Sequence, residues 1–469
     1  MTQPAASSPT RKGGFLDRRL VLVVLALAGA VGTQVWLADA YGAMNGAVRA
    51  QWSVAVMLVV LLSAPTAALL VAIWWLGETS VGRPLAIAFA TAGFMMRTPY
   101  FGVGPMLEDD HFRYLLDGAM VAHGLSPYAL TPEQVLTGAS MLPSAALEAG
   151  RDVVASINFP ELRSIYPGGA QALFALAHLA APWSIDGLRA IIFGAEALTA
   201  ALLVVLLRRS GMPPVFAALV WCNPLLAFSL TGQAHIDAAL APPILTALLL
   251  VRTSAGATAG ALLSFAVGVK LWPALLAPLL ARAFWPSRPA TLRFGLALGI
   301  TALALCTPLI LASFAPGAGL TAYALSWSNN NAPYAWMSYV FHLAFGEGVG
   351  ERLLRAGVAT LWVATAFAVA LRPVLATGDF VQRAGIVTAL VFYLSPAQFP
   401  WYAIWFLPLA AASGSFPLSA AAVGLPIYYL FFPLAEAGLA TFHGSWLAFL
   451  HLIPVAATVL FVRRSEERK

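Results

Sequence analysis

The chain has 469 residues, of which 60% are hydrophobic and only 10% are charged. A soluble domain carries about a quarter charged residues, so this composition predicts an all-α polytopic membrane protein. The formal net charge of +6 comes from basic residues scattered at the ends of apolar segments, which does not predict nucleic-acid binding. Cys222 and Cys306 both lie in apolar runs, which excludes a disulfide framework and a cysteine-based metal site.

Apolar segments occupy most of the chain on both sides of one long polar stretch. The first apolar run exceeds the ~7–15 residues of a signal-peptide core, which predicts an uncleaved first span. The predicted regions are a cytoplasmic tail (1–19), three spans (20–102), an external loop (103–186), the remaining bundle (187–463) and a second cytoplasmic tail (464–469). The predicted count is about 14 (12–14) transmembrane helices, and the short segments at 256–284 and 383–413 predict broken or re-entrant helices.

The charge distribution predicts the orientation. With a cytoplasmic N-terminus, most basic and few acidic residues fall on the cytoplasmic side, as the positive-inside rule requires. Both termini are then cytoplasmic, and residues 170–182 form a surface or re-entrant helix. The polar stretch and four other unusual stretches fall on the outer side, at 232–237, 270–273, 326–331 and 398–402. Their convergence on one side predicts a single external site.

The polar stretch opens with the sequence EDDHFRYLLDG at 108–118. A helix over residues 108–122 would bring Asp110, Arg113 and Asp117 onto one face and spread apolar residues over the rest, as a helix at a bilayer surface requires. Gly124 and the following proline would end it. Asp109 and Asp110 could supply a general base whose charge Arg113 tunes. A solvated amphipathic helix with ion pairs explains the same pattern without chemistry.

Other polar residues also have both a functional and a structural interpretation. His235 and Asp237, two residues apart, would not face each other on a helix, so a local metal site is not expected. They could bind sugar hydroxyls or a phosphate separately, or cap the span. Lys270, the one lysine outside the terminal tails, lies beside Trp272 at the end of an apolar segment. It either snorkels or binds an anion such as a lipid phosphate.

Three further features remain open between ligand binding and structure. Asn330 lies in a run of three asparagines that suits either a hydroxyl-rich ligand or a surface turn. Glu196 lies within a predicted span, where an ionisable residue is a functional candidate or a hydrogen-bond partner in the bundle. The tryptophans at the span ends suit an aromatic belt first and sugar stacking second; they are Trp272, Trp327, Trp336, Trp401 and Trp405.

The sequence DHFRYLLDG at 110–118, followed by GLSPY at 124–128, resembles the first external loop of GT-C superfamily glycosyltransferases. It is most similar to bacterial enzymes that use polyprenyl-phosphate mannose, distant kin of GPI mannosyltransferase I. Weaker similarities follow in order at 157–162 (INFPEL), 165–167 (IYP), 235–237 (HID), 270–273 (KLWP) and 400–402 (PWY), then Trp405 and Pro408. The chain departs from the pattern at Gly168, where a second proline is usual, at Ala234, where glycine is common, and in its three early spans.

The resemblance implies a GT-C-type bundle in a bacterial plasma membrane, with an external catalytic loop that carries amphipathic helices. It implies inverting transfer of mannose or another hexose from a polyprenyl-phosphate donor to a lipid or cell-envelope glycan acceptor. By position, Asp110 is the base, Asp109 and His235 support it, and Arg113 and Lys270 are candidates for the donor phosphate. The other expected substrate-binding residues are Asp117, Tyr128, Tyr166, Asp237, Asn330, Trp401 and Tyr402. No cofactor is implied, and the sequence does not support a divalent metal.

Two other classes of function stay open. A glycolipid transporter or flippase also needs external polar groups and lipid-facing helices. Transporters commonly carry repeated halves, however, and the chain has no second copy of the 108–128 stretch, which favours an enzyme. A structural or sensory membrane protein would leave the paired aspartates unexplained.

Overall fold

The computed structural model describes residues 13–77, 82–139, 141–373 and 376–466. It is 79% helical, and the described residues contain no strand. Residues 1–12 and 467–469, which belong to the two predicted tails, lie outside the described part. The chain is therefore an all-α polytopic membrane protein, as its composition predicts.

Eight helices in the described residues are long and apolar enough to cross a membrane. They are Arg18–Asp39, Trp52–Leu76, Ile185–Arg209, Pro214–Gly232, Arg288–Ala312, Glu347–Leu371, Phe416–Glu436 and Ala440–Arg464. Their burial differs widely: 94% of the apolar window is buried in Pro214–Gly232 but only 17% in Arg288–Ala312. Pro214–Gly232 therefore lies at the centre of the bundle, whereas Arg288–Ala312 presents apolar side chains at the periphery, as a lipid-facing helix must.

Five apolar helices are shorter: Gly168–Ala180, Ile236–Leu249, Gly256–Val269, Trp272–Phe284 and Pro400–Ala412. A helix of 14 residues, the length of Gly256–Val269, rises only about 21 Å, less than the ~30 Å of a bilayer core. The described residues thus contain eight helices of spanning length, and four of the shorter ones coincide with spans predicted from the sequence near 238–252, 256–270, 272–284 and 401–413. The remaining helices are Tyr41–Ala50, Arg83–Met95, Asp110–Ala122, Pro132–Gln134, Ser144–Ala155, Gly319–Ser326, Ala332–Phe345 and Thr377–Tyr393.

Both segments that were expected to contain breaks are broken. Gly256–Val269 ends at Lys270, whose backbone is extended, and a 3₁₀ turn starts the next helix at Trp272. The helix Thr377–Tyr393 is separated from Pro400–Ala412 by an irregular segment. In each case a proline near the start of the second helix lacks the N–H that would continue the first. These breaks free side chains to point into the bundle.

The helix Asp110–Ala122 begins two residues later than predicted and ends as predicted, before Gly124 at φ +73°. It packs so closely on the helix Gly168–Ala180 that a Cβ atom at Gly118 would lie 2.4 Å from the Phe174 carbonyl oxygen. All residues from Tyr114 to Met120 are buried. The helix is therefore enclosed by protein, which differs from the expected helix lying on a membrane surface.

Candidate active site

Four of the five polar stretches meet around one histidine and one lysine. His235 Nε2 lies 3.8 Å from Asp110 Oδ2, and the His235 ring stacks on Trp401 with 3.7 Å between the ring centroids. Lys270 Nζ lies 2.7 Å from Asp237 Oδ1 and 4.0 Å from the centre of the Tyr402 ring. We call Asp110, His235, Asp237 and Lys270 the polar cluster.

Asp110 is the first residue of its helix, and its side chain stays 44% exposed. Its Oδ2 atom accepts a long hydrogen bond of 3.4 Å from the Tyr114 hydroxyl. Desolvation by the surrounding protein, and then the neighbouring charge of Asp109, raises the pKa of Asp110 to about 6. Asp110 is therefore ionised at neutral pH, yet it is a stronger base than an ordinary aspartate.

His235 is neutral. Its Nδ1 lies 2.8 Å from the Ser229 carbonyl oxygen, which can only accept, so Nδ1 carries the proton and Nε2 carries a lone pair. Burial lowers the pKa of His235 to about 3. Nε2 is buried and has no hydrogen-bond partner among the described residues. Two acceptors, Nε2 and Asp110 Oδ2, thus face one point, which suits a substrate hydroxyl group.

The Lys270 ammonium group retains unused hydrogen-bonding capacity. Asp237 is only 1% exposed, and its Oδ1 accepts from both Lys270 and Trp405 Nε1, the latter at 2.8 Å. Lys270 is 21% exposed and makes this one hydrogen bond within the described chain, besides contacts with the faces of Tyr402 and Trp405. Two of its N–H donors thus remain for an anion. His235 and Asp237 point to different partners, as their spacing predicts.

Asp110, Arg113 and Asp117 lie on one helix at the predicted spacing, and each makes separate hydrogen bonds. Arg113 Nη2 donates to the Phe159 carbonyl at 3.3 Å. Asp117 is buried and accepts from Ser164 Oγ and from Gln171 Nε2, so it holds its helix to the 164–171 segment. Asp109, on the side towards the loop, accepts from Asn158 Nδ2. Of Asp109, Asp110, Arg113 and Asp117, Asp110 is the residue whose side chain faces His235.

The aromatic and amide residues predicted to bind substrate are buried and contact other protein groups. The Tyr128 hydroxyl donates to the Tyr166 carbonyl at 2.7 Å, and the Tyr166 hydroxyl donates to that of Tyr114 at 3.3 Å. Asn330 is fully buried, and its Nδ2 donates to the Gln398 carbonyl at 2.7 Å. Trp401 and Tyr402 are also buried, against His235 and Lys270 respectively. Of these residues, Trp401 and Tyr402 contact the polar cluster directly.

Sequence reasoning missed two buried arginines, Arg97 and Arg189, because it counted both as loop charges. Arg189 is fully buried and donates to the carbonyls of Tyr100 at 2.5 Å, Thr231 at 3.0 Å and Gly232 at 2.7 Å, and also to that of Val103. It thus joins the segment before Asp109 to the segment before His235. The sequence did contain a signal for these two residues: both arginines adjoin apolar segments, where an unpaired charge is costly.

Arg97 pairs with Glu196, the acidic residue within a span, at 2.6 Å. The other oxygen of Glu196 accepts from the Thr231 hydroxyl at 2.5 Å, four residues before His235. Between Thr231 and His235 the backbone of Ala234 takes φ +61°, a left-handed conformation that favours glycine. Glycine would adopt this backbone conformation without the strain that alanine incurs.

Among the described residues, no group of three or more His, Cys, Asp or Glu side chains is arranged to hold a metal ion. Comparison with protein-family models, with curated proteins and with solved structures gave no match. The fold and the site define a polytopic helical membrane protein with a carboxylate, a neutral histidine and a partly open lysine at its helix breaks.

Proposed function

We propose that the chain is an inverting hexosyltransferase embedded in a bacterial plasma membrane, which transfers mannose or another hexose from a polyprenyl-phosphate donor to a lipid or glycan acceptor. The observation that carries the proposal is the pairing of an accessible carboxylate, Asp110, with a lysine that keeps free donors, Lys270. The first is suited to remove a proton from an acceptor hydroxyl, and the second is suited to bind a phosphate.

The reaction needs no further redox or metal chemistry. The acceptor hydroxyl gives its proton to Asp110, and its oxygen forms a bond to C1 of the sugar on the face opposite the phosphate. The bond between C1 and the phosphate oxygen breaks, and its electron pair leaves with polyprenyl phosphate. The leaving phosphate gains one negative charge, which Lys270 stabilises. His235 Nε2 accepts a hydrogen bond from the acceptor and orients it, while Asp237 and Asp109 position Lys270 and the loop.

A lipid-linked donor suits the apolar neighbours of Lys270. The Lys270 ammonium lies over the rings of Tyr402 and Trp405, and the next residue, Leu271, is 37% exposed. Trp405 also donates to Asp237, so a phosphate with an apolar tail would meet both a cation and apolar side chains here. Arg113 is a second candidate for the phosphate.

The proposal includes the topology that the charges favour: both termini in the cytoplasm, about 14 crossings if the shorter helices are counted, and an external catalytic loop. It therefore predicts a donor and an acceptor on the outer face. In this arrangement the donor phosphate lies at the membrane edge beside Lys270, and the sugar lies on the outer side near Asp110.

Purified protein in lipid, supplied with labelled polyprenyl-phosphate mannose and hexoside acceptors, tests the proposal. We expect one polyprenyl phosphate to be released for each sugar transferred, and the product to have inverted configuration at C1. A transporter would instead move intact donor across the bilayer of sealed vesicles without cleaving it. Movement of intact donor, with no sugar transfer from mannose or other hexose donors, would overturn the proposal.

A further inference from the structure

A row of three aromatic side chains lies beside the polar cluster; of these, only Trp327 was considered from the sequence, for an aromatic belt or for sugar stacking. The rings of Phe159 and Trp327 are 4.6 Å apart, and those of Trp327 and Tyr323 are 5.8 Å apart. We call these three residues the aromatic row. At one end, the Tyr323 hydroxyl lies 3.2 Å from that of Tyr402, whose ring covers Lys270. At the other end, Phe159 follows Asn158, which donates to Asp109.

The row begins with a backbone conformation that a phenylalanine seldom adopts. Phe159 has φ +52°, a left-handed conformation that is strained for a bulky side chain. Its ring is 47% exposed, so burial of the ring does not explain the strain. Strained residues with exposed side chains are often found where a ligand is bound. The strain orients this ring across that of Trp327.

Arginines hold the backbone at Phe159, one end of the row, and at Trp327, its middle residue. Arg113 donates to the Phe159 carbonyl at 3.3 Å, and Arg355 donates to the Trp327 carbonyl at 3.2 Å. Arg355 is itself held by Glu351 at 2.6 Å. The rings are thus set in place before any ligand arrives, which lowers the entropy lost on binding.

The surroundings of the row are polar, unlike those of a lipid contact. Asn158 and Glu161 are exposed next to Phe159, and Ser326 and Ser328 are exposed next to Trp327. Burial, together with the charges of Asp237 and Asp110, raises the pKa of Tyr323 to about 12, so its hydroxyl stays protonated and can donate. The faces of aromatic rings attract the partly positive C–H groups of sugars. The exposed polar side chains around the row can bind sugar hydroxyl groups.

We propose that Phe159, Trp327 and Tyr323 bind the acceptor as an oligosaccharide and present its terminal hydroxyl to Asp110. The row extends from Tyr402, beside Lys270, to Asn158, beside Asp109, so an acceptor that contacts all three side chains is a glycan chain rather than a single lipid headgroup. This inference rests on the transferase function proposed above, because it concerns the acceptor of that same reaction. The row contributes binding, and Asp110 remains the group that takes the proton.

The test compares methyl mannoside, mannobiose and mannotriose as acceptors with a saturating polyprenyl-phosphate mannose donor. We expect KM for wild type to fall as the acceptor lengthens. Phe159→Leu and Trp327→Leu should each raise KM for mannotriose about 3- to 10-fold, and leave both kcat and KM for methyl mannoside unchanged. Trp327→Phe, which keeps an aromatic face, should retain most of the affinity. Phe314, which is 85% exposed elsewhere, provides a matched control, and Phe314→Leu should change nothing.

Donor binding serves as the folding control for each variant. Active wild type with a KM that does not depend on acceptor length would overturn the role of the row but leave the transferase proposal standing. An equal KM for mannotriose in wild type, Phe159→Leu and Trp327→Leu would do the same. Weaker binding of long-chain alkyl mannosides, with unchanged binding of mannotriose, would show a lipid contact and also overturn it. Absence of any transfer by wild type would instead contradict the proposed function itself.

Discussion

Two buried ion pairs of nearly equal length serve different purposes in this molecule. Arg97 and Glu196 lie 2.6 Å apart, and Lys270 and Asp237 lie 2.7 Å apart. The first pair is closed: its side chains are 1% and 2% exposed, and Arg97 also donates to the carbonyls of Gly93 and Trp221 at 2.9 and 2.7 Å. The second pair is open: Asp237 is only 1% exposed, but Lys270 is 21% exposed.

The comparison shows when a charged residue in an apolar chain indicates a binding site. A buried ion pair by itself identifies no site, because a bundle also uses such pairs to join its helices. Hydrogen-bonding capacity that is accessible to a ligand distinguishes the second pair. Arg97 and Glu196 bind protein groups on several sides, whereas Lys270 makes one hydrogen bond among the described residues and keeps 21% of its side chain exposed. The closed pair stabilises the bundle, and the open pair is suited to bind substrate.

The largest expected effect concerns the closed pair. Arg97→Met or Glu196→Leu alone leaves one buried charge without its partner, which typically costs about 3–5 kcal/mol. We therefore expect a large loss of folded protein and of thermal stability in detergent. The double variant Arg97→Met/Glu196→Leu should recover much of the stability and also the transferase activity, since neither side chain belongs to the polar cluster. Single variants with wild-type melting temperatures would contradict the structural role.

Single and double variants of the open pair, Lys270 and Asp237, should give a different result. Lys270→Ala should weaken donor binding about 10- to 100-fold, the range expected for a lost charge-assisted hydrogen bond. Lys270→Arg should keep part of the affinity, because it keeps the charge but replaces a compact ammonium with a broad fork. Lys270→Ala/Asp237→Asn should restore stability lost in Lys270→Ala but not donor affinity. Recovery of donor binding in that double variant would make this pair structural as well.

The pH profile of transfer tests the state of Asp110. Because its pKa is raised to about 6 and the base must be ionised, kcat/KM should fall about tenfold for each pH unit below about 6. Asp110 itself favours the folded state as the pH falls, because its pKa is higher in the folded than in the unfolded protein. Buried, neutral His235 has the opposite effect below its unfolded pKa of about 6.5, so the melting temperature at each pH is the control that separates unfolding from titration of the base. His235, with its pKa lowered to about 3, stays neutral throughout. A rate that is constant from about pH 7 to pH 5 would remove Asp110 from the role of base.

The smallest effect is expected at Ala234. This residue lies between His235 and Thr231, whose hydroxyl donates to Glu196 of the closed pair. Glycine adopts φ +61° without strain, so Ala234→Gly should change the free energy of unfolding by no more than about +1 kcal/mol, after the entropy cost of glycine. Transfer should stay within a few-fold of wild type. Thermal unfolding measures this change, and a clear loss of stability would show that the buried methyl group contributes more than the backbone strain costs.

The sequence predicted the local features of the site but not its long-range partners. The end of the helix before Gly124 and the helix breaks at Lys270 and before Pro400 follow from glycine, proline and segment length. The burial of Asp117 depends on Gln171, 54 positions away, and the hydrogen bonds of Arg189 reach Tyr100, 89 positions away. No local sequence pattern encodes such contacts. Asn330 likewise pairs with Gln398 only because two helix breaks meet.

The most direct test of the central claim, that Asp110 removes the acceptor's proton, is single-turnover transfer by Asp110→Asn at saturating donor. Asparagine preserves size and hydrogen bonding but cannot accept the proton, so we expect wild-type donor affinity with a rate about 10²- to 10⁴-fold lower. Asp109→Asn is the matched control and should lose much less. A rate for Asp110→Asn within a few-fold of wild type, or an inactive Asp109→Asn beside an active Asp110→Asn, would contradict the claim.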